Sequence, residues 1–112
     1  MNDTLNKIDQ YIRESWERTV RTEETRQWNV LPLPKPFNVP CIDGNFQFVC
    51  YWDTHFINLG LLAHGEIEMA QNNVDNLLWL VREYGYIPNS TAMSDTNRSQ
   101  PPYLSTTEGS VL

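Results

Sequence analysis

The stretch from Asp53 to Gly85, DTHFINLGLLAHGEIEMAQNNVDNLLWLVREYG, decides the fold class. It holds two runs with the three-and-four spacing of amphipathic helices, divided at Gly65 and closed at Gly85. Asp53 takes the N-cap position of the first run, where a short side-chain oxygen can accept a first-turn N–H. Phe56, Leu59, Leu62 and Ala63 form its apolar side, and the spacing predicts a helix over 54–64. The second run predicts a helix over 66–84, with Ile67, Ala70, Val74, Leu77, Leu78, Val81 and Tyr84 as its stripe. Glycine suits the left-handed residue just beyond a helix end, so Gly65 and Gly85 mark both stops. So short a connection makes the pair an antiparallel hairpin. Met69, Trp79 and Leu80 lie off the stripe, which implies burial of the second helix on more than one side.

Upstream, Leu5, Ile8, Ile12, Trp16 and Val20 predict a further helix over 4–21, with Asp3 or Thr4 as its cap. The stretch 31–44 is different. Pro32, Pro34, Pro36 and Pro40 remove backbone donors and push their predecessors towards extended conformations. Leu31, Leu33, Phe37 and Val39 want burial, so the segment reads as a strap laid over a surface; a proline-motif ligand for an interaction domain is the rival. From Ile87 the periodicity fails, and Pro88, Asn89, Ser90, Pro101 and Pro102 indicate a long loop. The chain thus divides into an N-terminal amphipathic helix (1–30), a helical-hairpin region (31–104) and a tail (105–112).

The 112 residues suit one small domain. Fourteen acidic side chains against eight basic ones give a formal charge of −6, which excludes nucleic acid as a principal partner. The apolar runs fall far short of the roughly 20 residues that span a bilayer, so no membrane partner is expected. The first residues do not read as a leader, and Cys41 and Cys50 do not form a disulfide framework; together these predict a reducing, cytoplasmic setting. Cys41, Cys50, His55 and His64 lack the paired spacing of zinc ligands, and the five glycines are scattered, so neither a metal nor a phosphate-bearing cofactor is expected.

Two clusters could carry chemistry. Trp52 and Asp53 stand at the mouth of the first hairpin helix. Core packing and capping account for them, and so does a sugar subsite, in which a flat aromatic covers a pyranose face while a carboxylate accepts from hydroxyls. The proline-stiffened segment from Asn89 to Arg98, Ser99 and Gln100 is either a polar surface loop or an array of fixed donors for a polyol.

Taken together, these clusters resemble the trehalase family of glycosidases. The run Gly44-Asn45-Phe46-Gln47-Phe48-Val49-Cys50-Tyr51-Trp52-Asp53 matches the first family signature at Gly44, Phe46, Trp52 and Asp53. The hairpin, Tyr84-Gly85-Tyr86-Ile87-Pro88-Asn89 and Arg98-Ser99-Gln100-Pro101-Pro102 then follow in family order, over about residues 31–104. The sequence departs from the pattern at Asn45, Phe48 and Cys50, which replace an arginine, a glutamate and a tyrosine. Ala92, Ser94 and Asp95 stand where the family carries an arginine and two tyrosines. The resemblance implies an all-α fold, part of an (α/α)6 toroid, and hydrolysis of an α-glucoside, trehalose or a related one, with inversion. It implies a glucosyl subsite lined by Trp52, Asp53, Asn89, Arg98 and Gln100, no catalytic residue within this chain, and no cofactor.

Twelve helices of about 11 residues with loops of about 5 need roughly 190–200 residues. Three helices cannot close such a ring. The chain is therefore expected to be the N-terminal fragment of a trehalase-like glycosidase, inactive alone, with a small carbohydrate as ligand and the remainder of a split or truncated enzyme as partner. The competing reading is a small helical interaction module without catalysis, docking through an uncovered hairpin face.

Overall fold

In a computed structural model, which describes residues 3–99, the order of elements is α1 (Asp3–Ser15), β1 (Val20–Arg21), β2 (Phe37–Asn38), α2 (Tyr51–Ala63) and α3 (Ile67–Tyr84). A 3-10 turn over Trp16–Thr19 joins α1 to β1, and a second covers Met93–Asp95. Gln100, Pro101, Pro102 and the tail 105–112 lie outside the described residues. The protein is mostly helical, and the all-α expectation is corrected only by a two-stranded antiparallel ribbon pairing Val20 with Asn38 and Arg21 with Phe37.

The hairpin forms where its glycines place it. Gly85 adopts the left-handed conformation (φ 82°) and closes α3 through its N–H to the Val81 carbonyl at 2.8 Å. The strap does cover α3: Leu33, Phe37 and Val39 join Val49, Tyr51, Leu77, Leu80 and Ile87 in one buried cluster. The intervening Pro34 and Pro36 remain exposed. Asparagines fix the register. Asn76 accepts the Lys35 N–H at 3.1 Å and donates to the Lys35 carbonyl at 3.0 Å. Asn73 accepts the Asn38 N–H at 3.1 Å, and its amide donates to both Asn38 Oδ1 and Asn58 Oδ1 at 3.0 Å. Such buried amides are tolerated because each is hydrogen-bonded.

Three expectations need correction. The first helix stops at Ser15, not at 21, and α1 buries no residue. Trp16 leaves the helical path because its ring crosses to α2, where Gly60 leaves room: a Cβ there would lie 3.0 Å from the indole. Val20 and Arg21 are then drawn into pairing with the strap.

The second correction concerns the start of α2, at Tyr51. Cys50 holds the N-cap position without a side-chain capping bond, and Asp53 lies inside the first turn. Capping is supplied from elsewhere, since the Tyr51 N–H donates to the Asn89 carbonyl at 3.2 Å.

The third concerns the buried side of α2. It is not the apolar one: Tyr51, Thr54, His55, Asn58 and Leu61 face inward, while Phe56, Leu59 and Ala63 are exposed. The inward polar groups are bonded, Thr54 to the Cys50 carbonyl at 2.9 Å and Asn58 to the Ala70 carbonyl at 3.1 Å. Ile67, Leu78, Val81 and Tyr84 of the α3 stripe are exposed as well, while Leu80, off that stripe, is buried.

Candidate functional site

The segment after α3 is no surface loop at its start. Ser90, Thr91 and Ala92 are buried and run between two other extended stretches. Thr91 receives the Leu31 N–H on its carbonyl at 2.7 Å, and its own N–H donates to the Val49 carbonyl at 2.9 Å. Backbone pairings of Val30 with Ala92 and of Cys50 with Ser90 complete the seam. This seam delivers the 89–99 segment to the N-terminal end of α2.

There the main chain closes on itself. The Asn89 carbonyl takes the Tyr51 N–H, and the Asn89 N–H donates to the Arg98 carbonyl at 2.6 Å. Ser99 fastens the far side through its hydroxyl to the Ile87 carbonyl at 2.6 Å. Asn89 and Arg98, nine positions apart, are therefore adjacent, and Asn89 adjoins the first turn of α2, which carries Trp52 and Asp53.

Each side chain has a distinct setting. Trp52 is 42% exposed and meets the Phe56 ring edge-to-face at 6.4 Å between centroids. Asp53 is half-buried in the first turn, where the helix dipole favours a negative charge. Its carboxylate lies against the Cys50 thiol, whose pKa is pushed up to about 12, first by burial and then by the Asp53 charge. Asn89 is half-buried, and Arg98 is exposed. Four of the five expected site residues thus belong to one end of the hairpin; Gln100 lies outside the described residues.

Two contributors were not expected. Asp95 binds Arg98 Nη2 through Oδ1 at 2.5 Å and accepts the Ser90 hydroxyl on Oδ2 at 2.6 Å. The three-residue spacing of Asp95 and Arg98 was the only available signal, and it is common in turns. Among the described residues, no group of three His, Cys, Asp or Glu stands close enough to hold a metal ion, and no helix is long and apolar enough to cross a membrane. A cleft of about 630 Å³ lies elsewhere, between Thr22–Glu24 and Leu33–Pro36, and takes in none of the five residues.

One end of the hairpin thus gathers an exposed tryptophan, a first-turn carboxylate and a loop-borne arginine. The chain belongs to the trehalase family: the family model, described as Trehalase, matches residues 1–111. It is 37% identical over 100 residues to a periplasmic trehalase of Xanthomonas campestris, with 88% of this chain and 17% of that protein covered. It is 38% identical over 96 residues to a periplasmic trehalase of Pseudomonas aeruginosa, covering 84% and 17% of the two chains. A periplasmic trehalase of Escherichia coli O1:K1 is 39% identical over 99 residues, covering 87% and 17%. The chain therefore spans about one-sixth of the length of these relatives.

Their names overturn the cytoplasmic expectation, since all three are periplasmic enzymes. The thiol argument fails for a physical reason. Both cysteines are free, Cys50 buried and Cys41 half-buried, and two thiols that only pack do not report the redox state of a compartment.

Proposed function

We propose that this chain is one portion of a periplasmic, inverting α-glucosidase of the (α/α)6 toroid type that hydrolyses trehalose or a related α-glucoside, and that it is inactive alone. The observation that carries the reading is the convergence of the α2 mouth with the Asn89–Arg98 segment. Trp52 would cover an apolar sugar face, Asp53 would accept from hydroxyls, and Asn89, Arg98 and Gln100 would supply donors.

Inversion needs an acid and a base about 6.5–9.5 Å apart across the scissile bond. Asp53 is the binding carboxylate in this scheme, and Asp95 is committed to Arg98 and Ser90. The acid and base then belong to the part of the enzyme beyond this chain. The exposed apolar sides of α2 and α3, with Phe56, Leu59, Ile67 and Val81, are the faces that the rest of the toroid would cover.

The test is glucose release by the purified chain from trehalose and other α-glucosides, with Asp53→Asn as control. The reading expects none from either protein. Turnover that vanishes in Asp53→Asn would make Asp53 catalytic and end the inactive-portion reading.

A further inference from the structure

We propose that Asp95 is a positioning residue of the sugar site, which aims the Arg98 guanidinium at a bound saccharide; the inference rests on the reading of Arg98 as a sugar contact. An arginine three residues from an aspartate in a solvent-exposed turn would ordinarily mean little, since solvent screens exposed pairs and side-chain entropy opposes them. This pair differs at its acidic end. The Asp95 side chain is only 18% exposed, against 56% for Arg98. Its two oxygens are divided, one taking Arg98 Nη2 and the other the Ser90 hydroxyl.

Ser90 is a rigid anchor. It is 1% exposed, its backbone pairs with Cys50 immediately before α2, and its Oγ also accepts the Ala92 N–H at 3.2 Å. The carboxylate is thus fixed to the interior on one side and presents a fixed acceptor on the other. Arg98 is held three times, through its carbonyl by Asn89, through Nη2 by Asp95 and through Nη1 by Asn97 Oδ1 at 3.1 Å. A long, exposed side chain that would otherwise lose its rotamer freedom on binding is ordered in advance. The guanidinium stands exposed on the segment whose Asn89 carbonyl takes the Tyr51 N–H, one residue before Trp52. The ligand class is a neutral saccharide, recognised through hydroxyls by the ordered guanidinium.

The experiment is a trehalose titration of the 112-residue chain followed by NMR at the Trp52 indole and Arg98 Nε–H signals. Asp95→Ala is expected to weaken binding about tenfold, the scale of one charge-assisted hydrogen bond. Ser90→Ala should give a smaller loss. In an Arg98→Ala background both losses should disappear, because Asp95 acts only through Arg98. Should Asp95→Ala fold poorly, Asp95→Asn keeps the shape and removes the charge, and it should still weaken binding several-fold with an unchanged melting temperature. Wild-type affinity in Asp95→Ala, or a loss that persists undiminished without Arg98, would overturn the inference while leaving the sugar site intact. A wild-type chain in which trehalose shifts neither signal would overturn the site reading and this inference with it.

Discussion

The stripe of α3 and the stripe of α1 are written in the same code, yet they meet different fates. Ala70, Val74 and Leu77 are fully buried, Leu77 in one cluster with the strap, whereas Leu5, Ile8 and Ile12 stand 49%, 51% and 39% exposed. What separates them is a partner with its own reason to stay. Leu33, Phe37 and Val39 fill the surface of α3, and Asn73 and Asn76 lock the strap main chain in place. Among the described residues α1 buries none, and Asp9 and Trp16 tie its end of the chain to His64 after α2. A periodic stripe states which face seeks burial; burial itself depends on what the rest of the chain can lay over it.

The comparison breaks most directly at Leu77. It is fully buried in the cluster between α3 and the strap. Leu77→Ala should cost about 3–5 kcal/mol, through lost transfer energy and the cavity left behind. Ile8→Ser on the exposed stripe of α1 should stay within about 0.5 kcal/mol. Urea denaturation of both variants measures the contrast, and equal losses would show that α1 is as firmly packed as α3.

Asn73→Ala comes next. It strands Asn58 Oδ1 and both the N–H and Oδ1 of Asn38 in the interior, and unsatisfied buried groups cost about 1–3 kcal/mol each before relaxation. A loss of about 2–3 kcal/mol, with faster amide exchange at Asn38, is the expected result. A loss below about 0.5 kcal/mol would mean that apolar contact alone holds the strap.

Gly60→Ala should act on the α1 side of the comparison and more weakly. Alanine gains about 1 kcal/mol over glycine within a helix. Its Cβ, however, would stand 3.0 and 3.1 Å from two ring atoms of Trp16. That ring is anchored, because its Nε1–H donates to His64 Nδ1 at 2.9 Å. The net expectation is a loss of about 1 kcal/mol, with the Trp16 indole N–H signal displaced towards its solvent-exposed position. A more stable variant with an unmoved signal would show that Trp16 gives way freely.

The same contrast explains how much could be read beforehand. The end of α3 at Gly85 and its start, one residue from expectation, were legible because left-handed glycines and a long stripe are local signals. The strap was legible from prolines alternating with large apolar residues. The inward face of α2 was not: Thr54 and Asn58 look like solvent residues until Cys50, Ala70 and Asn73 supply their bonds. Asp53 reads as a cap from its place before an apolar run, but α2 starts at Tyr51 and the Asn89 carbonyl, 36 positions beyond Asp53, takes the Tyr51 N–H. Trp52, Asp53, Asn89 and Arg98 could be gathered at one end of the hairpin from motif order. Asp95 and Ser90 could not, since their pairing depends on the seam that buries residues 90–92.

The gentlest way to sharpen the comparison is acid. Asp9 Oδ1 lies 2.9 Å from His64 Nε2, and Oδ2 takes the Arg13 Nε–H at 2.8 Å. Because Nδ1 of His64 accepts from Trp16, its proton is on Nε2 and points at Asp9, so α1 is held to α2 by a continuous Asp9–His64–Trp16 chain. The bond from Arg13, and then that from His64, hold the Asp9 carboxyl below the usual carboxylate range. A group whose folded pKa is depressed stabilises fully above its unfolded value, near 3.8 here, and that contribution is lost as pH falls through the lower folded value. The Asp9 side chain is 46% exposed, so the global midpoint should barely move. The local effect is what the titration reads: as Asp9 protonates, the Trp16 indole signal and the α1 amides should shift together, while the Leu77 and Leu80 amides stay in place. In Asp9→Asn the α1 shifts over that acid range should be lost. If α1 and α3 amides moved together in the wild type, the acid step would be global unfolding, and α1 would be no looser than the helix beneath the strap.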